Sequence, residues 1–325
     1  MSSEPAQPKP WLEYLWLGLK ILVAAILIGS IIIRTDPQDV QLTWNAMQIG
    51  WLIPGALCFY VTALAQAGRT WELVDRQIPF RRALLLTLVQ TVVGNLLATS
   101  AGIASFLAMI RFQDQLRFRA AIGSIILARV GDLVALFIIL SIGVISLWSD
   151  LGPIQGAAMA TCIGIAVLIL MLILLFYGRS FYLEPIDRLA NWQALPGVIA
   201  TILRQLTATM RQMTPDMVQT RVVMLSGYSI LNVVVGLGYT FCSMQMFRVD
   251  LNLVQVCLFN GLTQLIYFIP IHVFGGLGTY EVVSIPILNQ FVANSAQIVP
   301  YLIGARLLMY VLNLLIVPVL VVIRR

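Results

Sequence analysis

Six stretches of this chain are long and apolar enough to cross a hydrocarbon core of about 30 Å, which takes about 20 helical residues. They lie at about 15–33, 50–66, 120–147, 156–177, 222–247 and 300–323. A soluble domain covers its surface with charge, yet only 10% of these 325 residues are charged while 60% are apolar. The expected fold class is therefore an all-α polytopic membrane protein. The chain has one His, and its four cysteines (Cys58, Cys162, Cys242, Cys257) all fall in apolar stretches without a CxxC pair. They read as small buried hydrophobes, and no metal or other cofactor is expected. The net charge of +6 reports orientation and anionic lipid on the inner face rather than nucleic acid. Residues 1–10 are polar and Pro-rich and are expected to be disordered, whereas 15–33 lacks a small-residue cleavage site and reads as a retained span.

Two further stretches do not fit a simple span. Residues 83–110 are nearly uncharged but interrupted by Gly94, Asn95, Thr99, Ser100 and Gly102. They are preceded by Arg69, Arg76, Arg81 and Arg82 and followed by Arg111, Arg117 and Arg119. Both flanks read as cytoplasmic by the positive-inside rule. The stretch is too short for two spans, so a re-entrant helical hairpin is predicted, tolerable only where protein or a wet cavity covers its irregular backbone. Residues 251–293 are interrupted by Pro270, His272 and Gly275-Gly276-Leu277-Gly278. Loop 148–155 holds Asp150 and no Lys or Arg, so it reads as outside; loop 178–221 holds five arginines and reads as inside. The second broken stretch then enters and leaves from outside, opposite to the first.

The order span, span, hairpin, span occurs twice, over 11–150 and 151–325, with opposite starting sides. An inverted-topology repeat is expected, and in such transporters broken elements gather at a substrate site near the midplane. Gly102 precedes Arg129 by 27 residues and Gly278 precedes Arg306 by 28, in keeping with the repeat. Within 178–221, Trp192 to Met213 mixes apolar residues with Arg204 and Arg211, and reads as either an interfacial amphipathic helix or a solvated linker.

Four ionisable residues sit inside apolar segments: Arg129, Asp132, Glu281 and Arg306. Each costs about 2.5–3.5 kcal/mol near the bilayer centre, so each should face protein or water and find a partner. Arg129 and Asp132 are three residues apart and share a helix face. They are either a self-neutralising packing pair or an arginine held ready for an anion such as a lipid phosphate, whose oxygens suit the guanidinium fork. Arg306 has no carboxylate within a turn, and Glu281 is the obvious partner, as a structural clasp or as part of a site. In the glycine run, Gly275, Gly276 and Gly278 permit close backbone approach. Thr279 opens the following helix, whose N-terminus either receives an anion or is capped from within.

Ile269-Pro270, Gly275-Gly276-Leu277-Gly278-Thr279-Tyr280-Glu281 and Arg306 together resemble the hallmark of the lysylphosphatidylglycerol synthase transmembrane region, and Arg129 with Asp132 resembles that family's earlier Arg-x-x-Asp signature. The resemblance runs from about 11 to 323. Gly94 to Gly102 departs from it in lacking a proline. The resemblance implies a flippase-like membrane region that moves lipid between leaflets, with aminoacyl transfer performed by a separate soluble domain. The chain ends at Arg325 without such a domain, so no enzymatic activity is expected.

The leading expectation is a lipid translocator for a phospholipid or polyprenyl-linked lipid. Its headgroup would be met by Arg129, Asp132, Glu281, Arg306, Gly275, Gly276, Gly278 and Thr279 in a cleft between the hairpins. No GxxxxGK[ST] occurs, so a lipid gradient or ion coupling through Glu281 would supply the energy. The alternative is an accessory or scaffold subunit that binds a glycosyltransferase or lipid-modifying enzyme through 178–221. Partners are membrane lipids, not nucleic acid. The expected location is a bacterial or archaeal cytoplasmic membrane, with both termini inside.

Overall fold

The computed structural model describes residues 37–74, 76–96, 99–112, 118–177, 188, 215–264 and 279–324. Every regular element among them is helical: α1 (Pro37–Asn45), α2 (Leu52–Leu73), α3 (Phe80–Leu96), α4 (Thr99–Phe112), α5 (Phe118–Ser146), α6 (Gln155–Tyr177), α7 (Pro215–Met246), α8 (Leu253–Gln264), α9 (Thr279–Asn289) and α10 (Ile298–Arg324). Five helical segments are long and apolar enough to cross a membrane: Ile49–Leu73, Ala128–Ser146, Gly152–Met171, Met224–Met246 and Ser295–Ile316. They correspond to five of the six expected spans. The sixth, 15–33, lies outside the described residues, as do 1–10 and, apart from Arg188, the linker to residue 214. Two boundaries move. The second helix runs on to Leu73 rather than ending at 66; Gln66 and Arg69 bond to neighbouring helices, and Thr70 accepts from Thr87 of α3. The last seven residues of the expected 178–221 linker are the first two turns of α7, which starts at Pro215, a residue tolerated at a helix start.

Each broken stretch is a pair of short helices. The first becomes α3, described to Leu96, and α4, described from Thr99, which pack on one another. Gly102 makes the close crossing: a Cβ there would lie 2.5 Å from the Gln90 carbonyl oxygen and 2.9 Å from Gly94 Cα. The second becomes α8 and α9, of 12 and 11 residues. At 1.5 Å per residue the described turns of each extend about 17–18 Å. Asn252 and Gln255 start α8 with a reciprocal pair of side-chain-to-backbone hydrogen bonds, both 2.9 Å. From Val256 to Thr263 every residue of α8 is buried, so this short helix is enclosed by protein on all sides.

Some of the helix contacts match between the two halves of the chain. α2 packs antiparallel on α7, with Gly55 against Cys242, Cys58 against Gly238, Gln66 against Asn232 and Gly68 against Tyr228. α5 lies against α8, and α10 lies against α3. If α2, α3 and α5 correspond to α7, α8 and α10, the last two contacts are images of each other. The main apolar core joins α5, α7, α8, α9 and α10 through Leu140, Met244, Leu258, Phe259, Leu288 and Tyr301. A smaller one holds Val74, Leu86, Phe106 and Ile110 around α3 and α4. α6 packs on α5 and exposes Ile163, Val167, Leu170, Met171 and Leu174, as a lipid-facing helix would.

The turns sort to two ends. At one, the Gln48 N–H donates to the Met246 carbonyl at 2.8 Å, and Gln290 Nε2 donates to the Asp150 carbonyl at 3.0 Å. α2 carries the chain about 33 Å to the other end, where Arg76, Arg81 and Arg82 follow. Arg76 there adopts φ 55 and reaches back to Glu72.

The α5–α8 contact depends on two glycines. A Cβ on Gly143 would meet the Leu258 backbone nitrogen at 2.9 Å, and one on Gly261 would meet Leu140 Cβ at 3.0 Å, whereas Gly164 on α6 has nothing within 4 Å. Gly143→Val is expected to destabilise the protein by about 1–3 kcal/mol. Thermal unfolding in detergent should show a lowered midpoint for that variant and an unshifted one for Gly164→Val.

Candidate functional site

A polar stripe runs down the inward face of α2. Thr62, Gln66, Arg69 and Thr70 recur at three- and four-residue spacing, which puts them on one side of the helix. The stripe faces similar residues on α7 (Asn232, Thr240, Ser243), α8 (Asn260, Thr263, Gln264) and α3 (Gln90, Thr91, Asn95), and together these enclose a cavity of about 410 Å³. Helices that bury such groups have to bond them to one another. Gln66 Nε2 donates to Asn232 Oδ1 at 3.1 Å, Thr87 Oγ1 to Thr70 Oγ1 at 3.1 Å, and Asn95 Nδ2 to Asn313 Oδ1 at 3.2 Å.

Two charge clusters reach this cavity. The first joins α2, α5 and α7. Asp132 Oδ1 accepts from Arg69 Nη1 and from the Ser229 hydroxyl, the latter at 3.1 Å. Arg129 Nη1 stands 3.9 Å from the other carboxylate oxygen, so Asp132 bridges two guanidiniums. Gly131 lets α5 come close enough: a Cβ there would lie 2.7 Å from Ser229 Oγ. The side chain of Arg129 is 37% exposed, against 14% for Arg69, so Arg129 is the more accessible cation.

The second cluster joins α9 and α10. Arg306 Nε donates to Glu281 Oε1 at 3.2 Å, with each side chain only 6% exposed. The Arg306 guanidinium carbon lies 4.4 Å above the Tyr280 ring centroid, a cation–π contact made stronger by the lack of water. Arg306 and Tyr280 are on the cavity wall, with Glu281 next to them.

Of the residues expected from sequence, Arg129, Asp132 and Arg306 line one cavity, and Glu281 pairs with Arg306 as anticipated. Thr279 is half-buried at the start of α9. Gly275, Gly276 and Gly278, with Pro270 and His272, lie outside the described residues. The expectation for Asp132 is corrected in one respect. Its direct partner is Arg69, on another helix, and the within-helix contact to Arg129 is the longer one. Arg69 was counted among the flanking charges because the span was ended at 66. Its helical spacing from Gln66 and Thr62 was the signal that it belongs to the interior. Gln90, Asn232, Asn260 and Gln264 were missed because they carry no charge, while Asn95 entered only as a break in 83–110. Among the described residues, no three His, Cys, Asp or Glu side chains gather as metal ligands would.

The two arginines around Asp132 should respond differently to truncation. Removing one partner of a buried ion pair costs about 3–5 kcal/mol, whereas a half-exposed one counts for far less. Arg69→Ala is therefore expected to lower the unfolding midpoint well below that of Arg129→Ala, measured on purified protein in the same detergent.

In comparisons with known proteins, the family model for the lysylphosphatidylglycerol synthase TM region matches residues 17–316. No curated protein and no solved structure matches the chain. The match takes in α2 to α9 and most of α10, and with them every charged residue of the cavity. This integral membrane protein belongs to the lysylphosphatidylglycerol synthase TM region family.

Proposed function

We propose that the protein moves a phosphate-bearing lipid between the leaflets of its membrane, with the headgroup passing through the polar cavity and the acyl chains remaining in the bilayer. The observation that carries the proposal is a single cavity of about 410 Å³ inside an apolar bundle, with Arg69, Arg129, Asp132 and Arg306 on its wall. Charges kept at that depth against an insertion cost of about 2.5–3.5 kcal/mol each mark a pathway for a polar group. Guanidiniums suit phosphate oxygens, with which they form paired hydrogen bonds. Membership of a family whose description concerns a phospholipid-modifying enzyme's membrane region supports a lipid cargo. Translocation makes and breaks no covalent bond, so we assign the chain no enzymatic role.

The proposed architecture is an inverted repeat, α2 to α5 against α7 to α10, with α3–α4 and α8–α9 as re-entrant hairpins. The antiparallel α2–α7 pair and the matched contacts of α5 with α8 and α10 with α3 support it. The enclosure of α8 supports it too, since a broken segment at membrane depth needs such cover. We assign the end carrying Arg76, Arg81 and Arg82 to the cytoplasm, by the positive-inside rule. An alternating opening of the cavity to the two faces would then carry a headgroup across.

Reconstitution into vesicles containing a tail-labelled fluorescent phospholipid tests the proposal. Dithionite should bleach about half of the label in empty vesicles and more in those holding protein. Equal bleaching in both would overturn the proposal. The Glu281–Arg306 pair has its own test. Glu281→Met with Arg306→Met replaces both charges by apolar groups, which is often neutral for stability where single removal is not. The double variant is expected to recover the unfolding midpoint that either single variant loses, while lipid movement stays at least about tenfold below that of the native protein. Native rates in the double variant would reduce the pair to a structural clasp.

A further inference from the structure

We infer that Cys58 and Cys242 form a dithiol site that a hydroperoxide converts to a disulfide, tying α2 to α7. The site stands on the geometry of that helix pair and goes beyond the lipid reading.

Register brings the two cysteines together. Along the antiparallel pair, Gly55 faces Cys242 and Cys58 faces Gly238. A Cβ on Gly55 would lie 3.3 Å from Cys242 Cβ, and one on Gly238 would lie 3.0 Å from Cys58 Sγ. Each cysteine is therefore opposite a residue without a side chain, which leaves room beside it for a second sulfur. The two are offset along the axis by one helical turn, about 5 Å. Side chains on a helix tilt toward its N-terminus. Cys58 thus leans toward the level of Gly55, where Cys242 lies, and Cys242 leans toward the level of Gly238, where Cys58 lies. In antiparallel helices the two tilts converge, and the thiols come within interaction distance of each other. A disulfide needs Cβ vectors aimed at one another and joins Cα atoms about 4.4–6.8 Å apart. Close helix contacts in membranes are made by Gly, Ala, Ser and Thr; here thiols take two of the facing positions. Cys162 on α6 and Cys257 on α8 are not on this contact.

Exposure sets the order of events. Cys58 is half-buried, and Cys242 is buried. Hydrogen peroxide and alkyl hydroperoxides are small and uncharged, so they reach a half-buried thiol in an apolar bundle. The Cys58 sulfur attacks the peroxide. An S–O bond forms, the O–O bond breaks, and the departing oxygen takes the thiol proton and leaves as water or an alcohol. Cys58 is then a sulfenic acid. The Cys242 sulfur attacks it next. The S–S bond forms, the S–O bond breaks, and the hydroxyl leaves as water with the Cys242 proton. Each sulfur gives up one electron, and the two peroxide oxygens take both.

The pair lies near one end of the bundle. Cys58 is six residues, about 9 Å, into α2, and Cys242 is four residues, about 6 Å, before the end of α7. That end is opposite the one carrying Arg76, Arg81 and Arg82, and so falls on the outer side in the orientation proposed above, where disulfides persist. Phe59 and Thr62 beside Cys58, and Tyr239 and Thr240 beside Cys242, are on the cavity wall. A disulfide would fix these two sides of the wall to each other. On the lipid reading, it would stop any headgroup passage that needs α2 and α7 to shift.

The site is tested on the full-length purified protein in detergent. After exposure to hydrogen peroxide, remaining thiols are alkylated and the digest is mapped by mass spectrometry without reduction. The Cys58 and Cys242 peptides should be joined, with Cys162 and Cys257 alkylated, and dithiothreitol should part them. Four alkylated cysteines, or a bond through Cys162 or Cys257, would overturn the inference. In Cys242→Ala, dimedone should capture Cys58 as a sulfenic acid; equal capture of Cys242 in Cys58→Ala would overturn the order of attack. The oxidised native protein should also unfold at a higher temperature than the reduced one, because the bond closes a long loop in the unfolded chain. A midpoint that fails to rise would mean that the bond strains the helix pair, and would overturn its fit to this geometry.

The vesicle assay reads the consequence. Oxidised protein should move lipid at least about tenfold more slowly than reduced protein, with the rate restored by dithiothreitol and Cys58→Ala insensitive to peroxide. Equal rates with the disulfide in place would overturn the lock and leave the dithiol standing. If neither form moves lipid, translocation fails and the lock with it, while the peptide map decides the dithiol by itself.

Discussion

A guanidinium or carboxylate inside a hydrocarbon layer has to be surrounded by protein or water, and the arrangement of this bundle follows from meeting that condition five times. Arg69, Arg129 and Asp132 cannot be satisfied on one helix; three helices come together at Gly131 and Ser229 to do it. Arg306 and Glu281 need a second meeting point between α9 and α10. Once both are in place the helices that carry them are held around the same interior volume, and the carboxamides of α2, α3, α7 and α8 complete its wall. Glycines supply the close approaches that this geometry demands, at Gly102, Gly131, Gly143 and Gly261.

The same condition bears on which of the described helices need the most cover. A broken helix exposes backbone N–H and C=O groups, and lipid offers them nothing. α8 is therefore the most thoroughly enclosed element, buried from Val256 to Thr263, although its composition is no more apolar than that of its neighbours. α6 is the opposite case: continuous, apolar and exposed along its outer side, it needs no cover because the backbone groups of its interior turns bond within the helix.

Much of this was legible in the sequence, for physical reasons. Long uncharged stretches have one stable form in lipid, so helices could be expected over 120–147, 156–177 and 300–323, where the described residues are helical. A buried charge demands a partner, so Glu281 could be assigned to Arg306 across 25 residues. Arg69 was misplaced because a charge near the end of an apolar stretch looks the same whether it faces headgroups or the interior; only the extra turns of α2 to Leu73 decide it. Gln90, Asn232, Asn260 and Gln264 carry no charge, and single amides inside long segments leave those segments apolar on average, so nothing marked them as a set. Ser229, with a small hydroxyl bridging Arg69 and Asp132, is the extreme example.

The seam between α2 and α7 has a mechanical consequence. Gly55 meets Cys242, and Cys58 meets Gly238, with a Cβ on either glycine coming within 3.3 Å of its opposite number. No long side chain lies between the two backbones at these points to act as a deformable cushion. Dispersion contacts at such short range lose about a quarter to a half of their strength over a gap of about 0.5–1 Å. The pair is therefore a stiff seam: prising it apart would forfeit close contacts along much of the length of both helices.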